Sequence, residues 1–347
     1  MGIVSSNISL QYTNDTYGTT ISYVSSDTNI LSNTGLFNRP YQASVITYNV
    51  KIIYGSNSKT VTYEVKVEGF KELTNIAATY IGGTSSTYTS LSDNLFSTCD
   101  IITCGFAYPG IDGTFTNSSV NILNFTHYLP KMKQYVIPNA HKKGTWVVLS
   151  VAGMSEHDST METICSSDAL INTFVDNIVD LINTYGFDGV DIDWEVPSDG
   201  ALFTKLMSKL YTAVKANNEN HLVTAAIGGG KWNPAYYDLT NSCQYIDYIN
   251  MMTYNMSTSS GYHHTPLYGR SGFTDSANYA AGTLTSCSVD ESVTIFSNYG
   301  VDSSKLIIGS GFYGIVQKRS SLGLDWEESS NPSYTTIVTD YLSDTAN

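Results

Sequence analysis

Cationic charge is scarce in this chain. Lys and Arg total 17 against 31 Asp and Glu in 347 residues, giving a formal net charge of −14. Such a surface repels nucleic-acid backbones and anionic membranes, so a neutral or cationic partner is favoured and nucleic acid is not. Paired cysteines are missing too. Cys99, Cys104, Cys165, Cys243 and Cys287 form no C-x-x-C pair and leave one over, so neither a zinc site nor a disulfide framework is indicated. No apolar run approaches the roughly 20 residues of a membrane span, and "MGIVSSNISLQY" lacks the basic and apolar regions of a signal peptide. The protein is therefore expected to be either cytosolic or preceded by more chain in its native form.

What the chain has instead is Ser, Thr, Asn and 26 tyrosines, a palette common in extracellular carbohydrate-handling proteins. At 347 residues, two domains, or one large barrel with an accessory module, are the natural priors. Sequons at Asn7, Asn14, Asn117, Asn124 and Asn255 are read as chance in so Ser/Thr/Asn-rich a sequence.

Residues 1–72 read as an all-β sandwich. "TTISYV", "ASVITYNVKIIYG" and "KTVTYEVKVEG" are strands separated by turn residues, and alternation puts Val61, Tyr63, Val65 and Val67 on one face. From about residue 75 to 347 the texture becomes apolar strands alternating with amphipathic helices. Seven strands are predicted, at 75–80, 100–108, 146–153, 189–194, 222–228, 246–254 and 305–314, apolar enough to be covered on both faces. Ile171, Phe174, Val175, Ile178, Leu181 and Ile182 recur at helical spacing before Gly186, and a further helix follows at 200–216. Parallel strands joined by helices imply either a doubly wound sheet or an eight-stranded barrel.

Into one strand the chain crowds acids: "GFDGVDIDWEV" holds Asp188, Asp191, Asp193 and Glu195, although only 14% of all residues are charged. Alternate strand residues share a face, so Asp191, Asp193 and Glu195 point one way and Val190, Ile192 and Trp194 the other. Asp188 is out of step with the other acids. Carboxylates about 6–7 Å apart along a partly desolvated strand cannot all ionise cheaply, and at least one pKa is pushed up. A carboxyl that keeps its proton near neutral pH is what a glycosidic leaving oxygen needs. An exposed edge strand does not fit the alternating apolar residues; a divalent cation shared by three oxygens is the other chemistry the pattern allows.

"FDGVDIDWE" resembles the DGxDxDxE signature of glycoside hydrolase family 18, the chitinase family, and the resemblance extends over residues 75–347. "LSVAG" resembles the family's SxGG strand, with Ser150 and Gly153 kept and Ala152 in place of a glycine; "MMTYN" resembles QMTYD; "GYHHTPLYG" resembles the chitinase loop that follows; and "KLIIGSGFYG" resembles the seventh strand. The first 70 residues resemble the atypical immunoglobulin-like modules of secreted bacterial polysaccharide-degrading enzymes. The fold implied is a TIM (β/α)8 barrel, here without a recognisable eighth strand, preceded by an immunoglobulin-like sandwich. The mechanism implied is retaining and has no enzyme nucleophile, an exception to the two-carboxylate scheme. Glu195 would protonate the leaving oxygen, and the sugar's own acetamido oxygen would attack the anomeric carbon. Asp193 would hold the acetamido N–H, Asp191 would set the charge of Asp193, and Tyr254 would bond the acetamido oxygen. Phe106, Ser150, Trp232, Met252, Asn255 and Tyr313 are the implied substrate-binding residues.

The resemblance implies a secreted, monomeric enzyme on an N-acetylglucosamine polysaccharide or oligosaccharide, with no cofactor and no metal. Endo-acting chitin hydrolysis is the leading expectation; an endo-β-N-acetylglucosaminidase on N-glycans and a chitin-binding lectin are the rivals. Two departures stand out. Asn255 replaces an aspartate common in the family, which predicts a changed pH profile. The eighth strand and its tryptophan are missing, Trp326 sits in a loop-like context, and a fragment of a longer secreted protein is the expectation. "GSGFYG" matches G-x-G-x-x-G but lacks a following helix and reads as a barrel strand ending at Tyr313. "GGGK" is no phosphate loop, and the adjacent His263 and His264 diverge and read as lining a sugar groove.

Overall fold

The structure, a computed structural model, describes residues 2–82, 85–115, 128–153, 158–230, 233–256, 264–268, 288–318 and 328–342. Trp232, Cys287, His263, Trp326, Asn117 and Asn124 lie outside the described residues. By compactness the chain divides into two units. One comprises Met1–Gly105, Leu123–Leu149 and Leu181–Asp188; the other comprises Phe106–Ile122, Ser150–Asp180 and Gly189–Asn347.

The N-terminal segment forms one antiparallel sheet in the order β1-β2-β3-β4: β1 (Thr13–Asn14), β2 (Thr19–Ser25), β3 (Ser44–Tyr54) and β4 (Asn57–Val67). A two-residue link, Gly55-Ser56, joins β3 to β4, with Tyr54 paired to Asn57 and Gly55 at φ +56. β4 therefore begins two residues before the predicted "KTVTYEVKVEG". The predicted common face of β4 is realised unevenly. Val65 and Val67 are buried in a cluster with Leu31, Ile46 and Tyr48, against which Val4, Ile8 and Phe37 pack, while Tyr63 remains 42% exposed. One four-stranded sheet and its covering loops stand where a two-sheet sandwich was anticipated.

Seven parallel strands form the second sheet, in the order β11-β10-β9-β8-β7-β6-β5. They are β5 (Ala78–Ile81), β6 (Ile101–Ala107), β7 (Trp146–Gly153), β8 (Gly189–Trp194), β9 (Leu222–Gly228), β10 (Tyr248–Met252) and β11 (Leu306–Ile308). The longer helices are α1 (Ile137–Lys143), α2 (Asp158–Ser166), α3 (Asp168–Tyr185), α4 (Gly200–Asn217) and α5 (Val289–Asn298). This is the α/β order expected of a barrel truncated before its eighth strand; among the described residues β11 is the last parallel strand. The seventh strand is shorter than its sequence suggested: β11 stops at Ile308, and Tyr313 lies beyond it in an isolated bridge to Ser333.

The helix pattern is realised as read. Ile171, Phe174, Val175, Ile178 and Ile182 form the buried stripe of α3, and Gly186 follows at φ +86, the left-handed conformation that a glycine supplies at a helix end. Asp199 caps α4 by accepting the Ala201 N–H at 2.8 Å. On β8, Val190, Ile192 and Trp194 are wholly buried, Trp194 packing near Phe203 of α4 at a ring separation of 6.4 Å.

Asp188, the acid out of step, belongs to the first unit. It is 1% exposed, its carboxylate accepts from the Val147 N–H at 2.7 Å and the Tyr41 hydroxyl at 3.0 Å, and it lies 2.8 Å from His141 Nε2. Tyr41 also stacks on Phe70 and Trp146 at about 5 Å, and its burial beside Asp188 pushes the phenol's pKa up. Arg39 donates to the carbonyls of His141 and Lys142 at the end of α1, where the helix dipole favours a cation. Asp188 is thus a structural acid. Replacing it with Ala orphans three polar partners, and we expect a loss of roughly 3 kcal/mol or more in urea unfolding; Tyr41→Phe, which removes one of them, should cost about 1 kcal/mol.

Candidate active site

The remaining three acids lie together in the second unit and differ in depth. Asp191 is fully buried, Asp193 is 4% exposed, and Glu195, one residue past the end of β8, is half-buried. The two-residue repeat of the strand puts them on one face, and burial decreases towards its C-terminal end, where barrel enzymes carry their chemistry.

Each acid is treated differently by its surroundings. Asp191 accepts hydrogen bonds from the Ser150 hydroxyl at 2.7 Å, the Thr224 hydroxyl at 2.6 Å and the Asn250 amide at 3.2 Å. Donors of this kind stabilise the ionised carboxylate. Asp193 has no such support: its Oδ1 is buried and has no hydrogen-bond partner among the described residues. Burial first, then the charges of Asp191 and Glu195, push its pKa up to about 8. Glu195 is also shifted up, by burial.

Tyr254 follows β10, and burial and the neighbouring Asp193 push its phenol up to about 12. Gly309 makes room for this ring, since a methyl group there would lie 3.1 Å from Tyr254 Cε1 and 2.4 Å from the Met251 carbonyl. Tyr313 stands edge-on to Tyr254 at 6.4 Å and donates to Asn255 Oδ1 at 2.8 Å. The Asn255 N–H donates to His264 Nδ1 at 3.4 Å, and the His264 ring lies 5.3 Å from that of Tyr313. Asn255 itself is at φ +54, which Asn tolerates better than most residues.

The structure therefore brings Asp191, Asp193, Glu195 and Tyr254 together, with Tyr313 and Asn255 alongside. Ser150 is buried with its hydroxyl committed to Asp191, which places it behind the acids. Phe106 and Met252 are part-buried at the ends of β6 and β10. Three contributors escaped sequence reasoning. Thr224 and Asn250 are lone polar residues in apolar strands; Thr224 pairs directly with Asp191 in the sheet, so a polar residue at that layer was the available signal. Asp158, pushed up to about 6 by burial, Glu195 and Glu162, carried no such signal. Tyr108, an aromatic at a strand end and so a residue the sequence offers for sugar stacking, has its phenol shifted upward by burial and by Asp193. Among the described residues no group of three or more His, Cys, Asp or Glu could hold a metal ion, and no helix is long and apolar enough to cross a membrane.

The model of glycosyl hydrolases family 18 matches residues 54–341. The chain belongs to that family. Endochitinase 1 of Metarhizium robertsii is 26% identical over 269 residues, which cover 72% of this chain and 61% of that protein's length. The chain thus spans less than two thirds of this curated relative. Among solved structures, a family 18 N-acetylglucosaminidase from Paenibacillus barengoltzii aligns with TM-score 0.59 at 24% identity, covering 77% of this chain and 79% of that one. A multi-modular cell-surface chitinase from a Paenibacillus species aligns with TM-score 0.62 at 16% identity, covering 94% of this chain and 34% of that one. At these identities the structural likeness concerns the fold.

A family 18 site of this kind leaves a thermodynamic trace. Asp193 keeps its proton up to about pH 8 in the fold but loses it near its ordinary 3.8 when unfolded. The native state then binds more protons over that interval, so stability falls as pH rises from about 4 to about 8. Asp193→Asn removes this contribution. We expect its urea-unfolding midpoint to decline less between about pH 5 and pH 8 than that of the wild type; parallel declines would contradict the assignment.

Proposed function

We propose that this family 18 member hydrolyses β-1,4 links between N-acetylglucosamine units, with chitin as the substrate class, by retaining substrate-assisted catalysis. The observation that carries the reading is the middle acid: a buried Asp193 whose Oδ1 has no hydrogen-bond partner among the described residues and whose pKa is pushed up to about 8, flanked by a buried Asp191 that accepts three hydrogen bonds and a half-buried Glu195.

In this reading Glu195 delivers its proton to the departing glycosidic oxygen while the C1–O bond breaks. The acetamido oxygen of the same sugar attacks C1 from the opposite side, forming an oxazolinium ion. Asp193 Oδ1 accepts the acetamido N–H, and the Tyr254 hydroxyl donates to the acetamido oxygen. As positive charge grows on the oxazolinium, the proton on Asp193 passes towards Asp191, and a carboxylate faces the cation. Water activated by the now anionic Glu195 then opens the ring at C1, returning the proton to Glu195. Without a 2-acetamido group the internal nucleophile is absent, so deacetylated oligomers are not substrates. The "GYHHTPLYG" segment supports chitin over N-glycans by its resemblance to the chitinase loop. The setting we propose is an extracellular monomer organised as an all-β accessory module, 1–72, and a hydrolase barrel, 75–347.

The direct test is turnover of N-acetylglucosamine oligomers and of a glycoprotein by the wild type and Glu195→Gln. The proposal expects oligomer cleavage, reduced about 10²–10⁴-fold by the substitution with sugar binding retained. An undiminished rate would remove Glu195 from the role, and release from the glycoprotein alone would reassign the substrate.

A further inference from the structure

We propose that Glu162, on α2, is a positioning residue for Glu195, holding the turn on which that acid is mounted; the inference rests on the reading of Glu195 as the general acid. The turn begins where β8 ends. The Glu195 N–H donates to the Gly153 carbonyl at 3.2 Å, and the Trp194 carbonyl accepts both the Tyr237 hydroxyl at 2.8 Å and the Val196 N–H at 3.2 Å. Val196 then takes φ +68. Few β-branched residues adopt this left-handed conformation, and this one also precedes Pro197, which restricts it further. Such a turn relaxes unless its surroundings hold it.

Pro197 has no N–H to offer, so the first backbone donor after the strained residue is Ser198. That N–H donates to Glu162 Oε1 at 2.7 Å, a charge-assisted bond. The next residue, Asp199, is already the cap of α4. Glu162 therefore grips the turn between its strained residue and the helix that follows.

The helix carrying Glu162 is itself seated against the site. Met161 is wholly buried beside Gly153; a methyl group on Gly153 would lie 2.5 Å from Met161 Cγ and 3.4 Å from Trp194 Cδ1. The ends of β7, β8 and the side of α2 are thereby packed into one block, and Glu162 projects from it onto the turn. Asp158, one helical turn earlier, has a buried Oδ1 without a partner among the described residues and responds to the charges of both Glu195 and Glu162. The first turn of α2 therefore borders the acid itself as well as the backbone that carries it.

Hydrogen exchange and kinetics on the full chain test this. Glu162→Gln keeps the acceptor and loses the charge; Glu162→Asp keeps the charge and is too short to reach Ser198; Glu162→Ala loses both. The proposal expects the Ser198 amide to exchange about tenfold faster or more in the Ala and Asp variants and within about threefold of wild type in the Gln variant. On N-acetylglucosamine oligomers, kcat should fall about tenfold or more in Ala and Asp, with KM within about twofold, and Gln should restore it. Unchanged exchange and kcat in Ala, or a Gln variant as impaired as Ala, would overturn the proposal. Should Ala fail to fold, the contrast between Asp and Gln decides. Should the chain turn over no oligomer, exchange alone decides. A full rate in Glu195→Gln would remove the general-acid reading while leaving the Ser198 exchange result to judge the clamp.

Discussion

The two-residue period of one β-strand governs the chemistry of this protein. It sets Asp191, Asp193 and Glu195 on a common face at successive depths, and depth decides what each can do. The innermost acid is completely buried, yet three donors hold its charge. The middle acid is nearly as deep without that support, and it keeps its proton. The outermost sits where the strand gives way to a turn, half in reach of solvent. Three chemically similar groups thus sit in three different environments, and burial raises the pKa of the middle and outer ones.

The surrounding fold serves that gradient. Ser150 on β7, Thr224 on β9 and Asn250 on β10 converge on Asp191 because neighbouring parallel strands present their inward residues at matching levels. Glycines clear space where backbones and rings meet: Gly153 admits Met161, and Gly309 admits Tyr254. Beyond the strand, the Tyr237 hydroxyl and the Glu162 carboxylate hold the turn in a conformation that Val196 would not choose alone. The fourth acid of the signature, Asp188, points elsewhere and serves the first unit through Tyr41, His141 and Val147.

Much of this was legible in the residues. The bounds of β7, β8 and β9 follow from apolar runs covered on both faces, and the buried stripe of α3 follows from its spacing. The separation of Asp188 from the other acids follows from strand parity. Other features were not legible, for physical reasons. Alternation on β4 marks a face but not what covers it, so Val65 is buried and Tyr63 is open. The run at 305–314 is apolar over more residues than pair, and the strand ends at Ile308. Glu162 looks like any part-exposed helical acid; its contact with Ser198 depends on how Met161 seats its helix, a tertiary fact that no local pattern encodes.

The raised pKa of the Asp193 carboxyl is the feature on which the rest depends, and site-resolved titration reads it directly. With ¹³C-labelled aspartate and assignment through Asp191→Asn and Asp193→Asn, the Asp193 carboxyl should titrate near pH 8, far above the ordinary aspartate value. In Asp191→Asn, loss of the neighbouring charge should move the Asp193 midpoint down. An Asp193 carboxyl that titrates near the ordinary aspartate value in the intact protein would contradict the account.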